Sequence, residues 1–137
     1  MLSFPWIKRA LQLRGFDEGH KTLTMNRDGF LALLDQVIRA SPFDEDFYLS
    51  AYPDVAAAVE QGEIETGFEH YKRFGFYEGR FPGFRGFDPD AYVAANPDLA
   101  SFKGRLDYEK ALREHYHHYG FVEGRPLRPQ RVRSLAR

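Results

Sequence analysis

Cysteine is absent from this 137-residue chain, which excludes a disulfide framework, a thiolate nucleophile and the usual structural zinc sites. An overall charge is nearly absent too: 19 basic against 20 acidic side chains leave a formal net charge of −1. No apolar run approaches the roughly 18–20 residues of a membrane-spanning helix. The opening stretch MLSFPWIKRALQLRG is interrupted by Lys8, Arg9 and Arg14, so it lacks the continuous apolar segment of a secretory signal, and a Sec-exported product is not expected. Catalytic punctuation is equally scarce, with no Gly-rich phosphate loop and no Gly-x-Ser-x-Gly turn. NRDG (26–29) overlaps part of a calcium loop, but the remaining ligands and the closing Glu are missing before an apolar run begins.

Aromatic residues are abundant: 13 Phe, 8 Tyr and 1 Trp within a 43% apolar composition supply enough material for a packed core. The small net charge conceals a partition. Residues 1–40 carry six basic and four acidic side chains, residues 41–124 eight and sixteen, and residues 125–137 five and none, for +2, −8 and +5. The acidic middle repels a phosphate backbone. Nucleic-acid binding is therefore disfavoured, because it would fall to the tail alone, where Arg125, Arg128, Arg131, Arg133 and Arg137 have no interleaved aromatic to stack a base. A solvated arm, or one docked on an acidic surface, is the simpler expectation.

The organising feature is an internal repeat. FDEDFYLSAYPDV...FEHYKRFGFYEGR (43–80) and FDPDAYVAANPDL...REHYHHYGFVEGR (87–125) share Phe-Asp, Tyr, Ala, Pro-Asp, His-Tyr, Gly-Phe and Glu-Gly-Arg in the same order, at an offset of 44 and then 45 residues. Such a period marks stacked supersecondary units, each unable to bury its apolar face alone. Asp44 and Asp88 suit helix N-caps. Tyr52 and Asn96 precede proline and must end a first helix; Pro53 and Pro97 then suit the first position of a second, with Asp54 and Asp98 in its first turn. The second helix should fade at Gly62 or Gly104. A third starts near Thr66, in a capping box with Glu69, or near Asp107, and is expected to end at Gly75 or Gly120 in the left-handed conformation, before a second turn at Glu-Gly-Arg.

The apolar positions Phe47, Leu49, Val55, Val59, Phe68, Tyr71 and Phe74 are matched by Ala91, Val93, Leu99, Lys103, Leu112, Tyr116 and Tyr119; most fall at helical spacing, as an inward stripe should, with Lys103 the one polar mismatch. Asn26 is placed to cap a long helix carrying Phe30, Leu31, Leu33, Leu34, Val37 and Ile38, and residues 3–14 suit a short basic amphipathic helix containing Trp6. The expected fold is all-α: two tandem three-helix repeats of about 44 residues with an N-terminal capping helix. Its expected segments are an arm or anchor (1–25), a capping helix (26–41), the repeats (43–80 and 87–125) and a basic tail (126–137). For the arm, docking on its own domain or on a neighbouring subunit is favoured over contact with a membrane surface.

These phrases resemble a short bacterial helical repeat of the form Phe-Asp...Tyr-Leu...Asn-Pro-Asp-Val-Ala...His-Tyr...Gly...Glu-Gly-Arg, similar to modules appended to glycosyltransferases, sulfotransferases and surface proteins. The resemblance covers residues 43–125, departing at Tyr52 for the usual Asn and at Arg105, which has no first-copy equivalent. It implies a non-catalytic module of carbohydrate or cell-surface work and supplies no catalytic residue, cofactor or metal ligand.

Two kinds of partner are expected: a bacterial surface polysaccharide, or another protein subunit in a homo- or hetero-oligomeric surface layer or phage-like spike. Tyr48, Tyr77, Phe84 and Tyr108 fall off the inward stripes and are the candidate ligand-binding aromatics. Pro53, Asp54, Arg80, Pro97, Asp98 and Arg125 form the structural motif. Arg80 and Arg125 could hold an anion or sugar hydroxyl, but closing back on the Pro-Asp carboxylates as bidentate pairs is preferred. His115 and His118 share a helix face with no carboxylate spaced to complete a metal set; a buried histidine donating to a backbone carbonyl is the ordinary expectation there.

Overall fold

A computed structural model describes residues 3–130, and among these the chain is all-helical, with only an isolated bridge between Arg14 and Thr24. The basic-tail residues Arg131, Arg133 and Arg137 lie outside the described residues. Two compact units divide between Ser41 and Pro42.

The first unit holds α1 (Phe4–Leu11) and α2 (Arg27–Ala40). Ser3 caps α1 by accepting from the Trp6 amide, and Pro5 occupies its first turn. Asn26 caps α2 through Gly29 N–H at 2.9 Å. The two helices touch at Gly29: a Cβ there would sit 2.1 Å from the Ala10 carbonyl oxygen, so only glycine permits this approach. Residues 1–25 and 26–41 thus fall in one unit, with Leu11 and Ile38 buried.

The second unit begins with α3 (Glu45–Ala51), capped by Asp44 through the Phe47 amide at 3.0 Å, and α4 (Pro53–Glu60), whose first residue is the proline. Tyr52 leaves helical geometry at the corner, as a residue before proline must. After a left-handed Gly62, Thr66 caps α5 (Gly67–His70) through Glu69 N–H. The Glu45 carboxylate reaches across from α3 and accepts from Gly67 and Phe68 N–H at 2.6 and 3.1 Å, filling the open end of α5.

From α5 the chain runs without a break through a π turn, Tyr71–Gly75, into α6 (Phe76–Glu78). In the π turn the Phe76 N–H donates to the Tyr71 carbonyl, five residues back. The later segment has the same order: α7 (Pro89–Ala95), a 3₁₀ helix (Pro97–Gly104), α8 (Tyr108–His115), a second π turn (Tyr116–Gly120) and α9 (Phe121–Glu123). Its second helix is 3₁₀ where α4 is α; Ala56, Ala57 and Ala58 of α4 are strong helix formers, and the later stretch has Ser101 and Gly104 instead. Asp107 makes no cap hydrogen bond, because Arg105 holds both of its carboxylate oxygens at 2.8 Å.

Three expectations are corrected. Gly75 and Gly120 do not end their helices: both are helical, and the left-handed termini fall at Gly79 (φ 75°) and Gly124 (φ 71°). There Arg80 and Arg125 N–H reach back to the Gly75 and Gly120 carbonyls at 2.9 Å, which is Schellman geometry. Phe74 and Tyr119, expected inward, are 46% and 60% exposed, because a π turn adds a residue and rotates its later side chains off the α-helical stripe. Tyr48, expected at the surface, is wholly buried, as is Tyr92. The later core is Tyr92, Val93, Leu99 and Leu112; the earlier segment buries Tyr48, Val55, Tyr71 and Phe81.

Candidate functional site

The Pro-Asp corners carry the strongest polar geometry. Arg80 donates from both terminal nitrogens to Asp54, at 3.0 and 2.9 Å, and from Nε to Glu78 at 3.0 Å, with its guanidinium 4.9 Å from the Tyr52 ring centre. Arg125 binds both Asp98 oxygens through Nη1 at 2.9 and 2.8 Å and Glu123 through Nε at 2.7 Å. The Arg80 hydrogen bonds hold the Asp54 carboxyl below its ordinary range, and that same pairing raises Arg80. Arg125 is raised by its hydrogen bonds to Glu123 and Asp98. An external anion would have to displace these carboxylates, so the arginines act as internal clamps.

Residue 52 or 96 closes each corner against the residue just after Glu-Gly-Arg. The Tyr52 hydroxyl accepts from Phe81 N–H at 2.7 Å. Residue 126 is proline and has no N–H, so Asn96 instead donates its amide to the Pro126 carbonyl at 2.9 Å, and to the Tyr92 carbonyl at 2.8 Å. The Tyr-for-Asn departure therefore matches a donor-for-acceptor change elsewhere in the corner.

Behind each corner a wholly buried tyrosine meets a half-buried histidine. The Tyr48 hydroxyl lies 2.9 Å from His70 Nδ1, and Tyr92 lies 2.9 Å from His115 Nδ1. Burial raises both phenols, Tyr92 to about 12, and lowers both imidazoles, with Arg80 or Arg125 adding to the latter effect. Both tyrosines are wholly buried and Nδ1 is the one hydrogen-bond partner of each hydroxyl among the described residues, so a hydroxyl that is to place its proton donates to Nδ1, in contrast to the expected histidine donating to a backbone carbonyl. The hydroxyls press on the π turns: a Cβ at Gly75 or Gly120 would lie 2.1 Å from the tyrosine oxygen. That contact explains glycine at both positions without any left-handed backbone.

Between the segments an aromatic seam forms. His117 stacks on Phe81 at 4.4 Å and meets Phe47 and Phe84 edge-on at 5.9 Å, while Phe81 also packs on Tyr116 and Phe121.

The four candidate aromatics are not brought together; among the described residues no ring contact joins any two of them. Tyr48 is core. Phe84 is half-buried in the seam, with Arg113 5.7 Å from its ring centre. Tyr108 is half-buried and donates to Asp90 at 2.7 Å, the bond that chiefly pushes its phenol up to about 12. Tyr77 is exposed beside Phe76. Among the exposed rings that residue spacing missed are Phe74 and Tyr119, whose place just before a glycine common to both copies was the available signal, and Phe30, which the apolar stripe of α2 placed inward. Among the described residues no group of three His, Asp or Glu could hold a metal ion, and no helix is long and apolar enough to cross a membrane. Compared with protein-family models, curated proteins and solved structures, the chain matches none.

Proposed function

We propose that the protein is a non-catalytic binding module that docks a bacterial surface polysaccharide, built from two three-helix repeats (43–80 and 87–125) with residues 26–41 as end cap. The observation that carries this reading is the pair of exposed aromatic rings, Phe74 and Tyr119, at equivalent places on segments whose corner arginines, Arg80 and Arg125, are already engaged by carboxylates. Exposed rings on a preorganised scaffold suit sugar stacking. The resemblance to repeats appended to polysaccharide enzymes points the same way, and the acidic repeat segments disfavour nucleic acid as a partner. The test is affinity electrophoresis of the full chain through gels containing capsule-type polysaccharides. Retardation in at least one gel is expected; unaltered mobility in all refutes the reading.

A second reading, a structural or adaptor subunit of a larger assembly, is favoured by one feature of the first unit. Phe4, Trp6 and Phe16 are exposed there, beside an open groove of about 690 Å³ lined by Phe4, Lys8, Arg9 and Arg14 among others. Concentration-dependent assembly abolished by joint Phe4→Ser and Trp6→Ser substitution supports that role; a chain monomeric at all concentrations that also captures no subunit removes it.

A further inference from the structure

Each π turn delivers its fourth residue outward, Phe74 in one case and Tyr119 in the other, and sets that ring beside the histidine paired with the buried tyrosine. The ring centres of Phe74 and His70 are 5.5 Å apart, and those of Tyr119 and His115 are 5.6 Å apart. Because the tyrosine hydroxyl donates to Nδ1, the neutral imidazole carries its proton on Nε2. Neither Nε2 has a hydrogen-bond partner among the described residues. No buried side-chain nitrogen or oxygen among those residues lacks a partner, so both Nε2 atoms reach the surface.

We infer that His70–Phe74 and His115–Tyr119 are twin subsites for an uncharged pyranose chain. The ring face accepts the C–H face of a sugar, and the adjacent N–H, fixed in direction by a buried phenol, donates to a hydroxyl. Charge selects among glycans: residues 41–124 hold sixteen acidic against eight basic side chains, and Arg80 and Arg125 are engaged by carboxylates, so the segment as a whole disfavours polyuronates, most clearly at the Tyr119 subsite, because Arg73 stands beside Phe74. Arg73 lies 5.2 Å from the Phe74 ring centre and shields it in part, so the Tyr119 subsite is the more open. This assignment rests on the carbohydrate reading above.

The experiment titrates the full chain with neutral hexose oligosaccharides (malto-, cello- and manno-series) and with polygalacturonate, following histidine ¹⁵N–¹H resonances and the binding isotherm. Phe74→Ala, Tyr119→Ala and the double variant are compared with the parent after far-UV circular dichroism has shown an unchanged fold. Expected are binding of a neutral oligosaccharide with movement of the His70 and His115 signals, no binding of polygalacturonate, and a loss on the order of tenfold for Tyr119→Ala, less for Phe74→Ala. Neutral-sugar binding untouched by either substitution overturns the subsites while the carbohydrate reading stands. Preference for polygalacturonate overturns the charge argument in the same way. If glycans of neither charge bind, the carbohydrate reading itself fails and the subsites fall with it.

Discussion

Replacing Gly75 by alanine tests the most unusual contact in the fold. The new methyl carbon would lie 2.1 Å from the Tyr48 hydroxyl oxygen, far inside van der Waals contact, whereas the next atoms, Tyr48 Cζ and Tyr71 Cδ1, stand at 3.2 Å. Tyr48 is wholly buried, so its ring cannot swing into solvent. Overpacking of this kind costs about 1–3 kcal/mol, and displacing the hydroxyl from His70 adds about 1 kcal/mol for the hydrogen bond. Gly75→Ala should therefore destabilise by roughly 2–4 kcal/mol, a fall on the order of 10 °C in the unfolding midpoint of the second unit. Tyr48→Phe removes the oxygen and its hydrogen bond and should cost about 1–2 kcal/mol alone. Once that oxygen is gone the alanine methyl meets only the two carbons at 3.2 Å, tight contacts that a shift of a few tenths of an ångström relieves, so Tyr48→Phe/Gly75→Ala should be more stable than Gly75→Ala alone. Thermal and urea unfolding of the four proteins, followed by near-UV circular dichroism, gives the coupling directly. Additive losses, with the double variant the least stable, would refute the contact.

The same packing also sets the response to pH and to truncation. His70, His115 and His117 are all lowered from 6.5, mainly by burial, so the unfolded chain binds more protons just below that value; stability should be intact above pH 6.5 and decline as pH falls, by up to about 1.4 kcal/mol per unit for each histidine. Asp54, held below 3.8 by Arg80, adds a separate decline once pH drops below 3.8; a pH–stability profile flat from 7 to 5 would contradict the histidine assignment. Phe81→Ala empties the centre of the seam and should cost about 3–5 kcal/mol, measured by urea unfolding; a loss under about 1 kcal/mol would mean that the rings do not pack. Asp54→Asn should cost no more than about 1 kcal/mol, and less in high salt, because the Asp54 side chain is largely exposed.

Local punctuation was readable in advance, because caps and prolines act within a few residues. Asn26, Asp44, Thr66 and Asp88 cap helices at positions their spacing indicates, and the Tyr52 and Asn96 corners break where proline requires. The Arg80–Asp54 and Arg125–Asp98 contacts span the two phrases singled out in each copy. Features that depend on three-dimensional approach lay beyond the reach of spacing. An α-helical stripe places Phe74 and Tyr119 inward only if the helix is α throughout, and the π turns break that premise. Tyr48 lies off the stripe yet is buried, because its hydroxyl is directed at Gly75 and His70, a contact that spacing along its own helix does not encode. Its repetition as Tyr92 was the better clue, since Tyr77, Phe84 and Tyr108 have no aromatic counterpart at the repeat offset. Glu45 capping α5 from another helix has no local sequence signature, and Pro89 at the matching position leaves that contact unrepeated.

Long-range ¹H–¹⁵N correlation spectra of the histidine rings at pH 7.5 test the account most directly, since both the packing of the π turns and the surface donors depend on one tautomer. His70 and His115 should each appear as Nε2–H with an unprotonated, hydrogen-bonded Nδ1, and Tyr48→Phe should perturb His70 alone. Nδ1–H forms, or rapid averaging of tautomers at either ring, would contradict it.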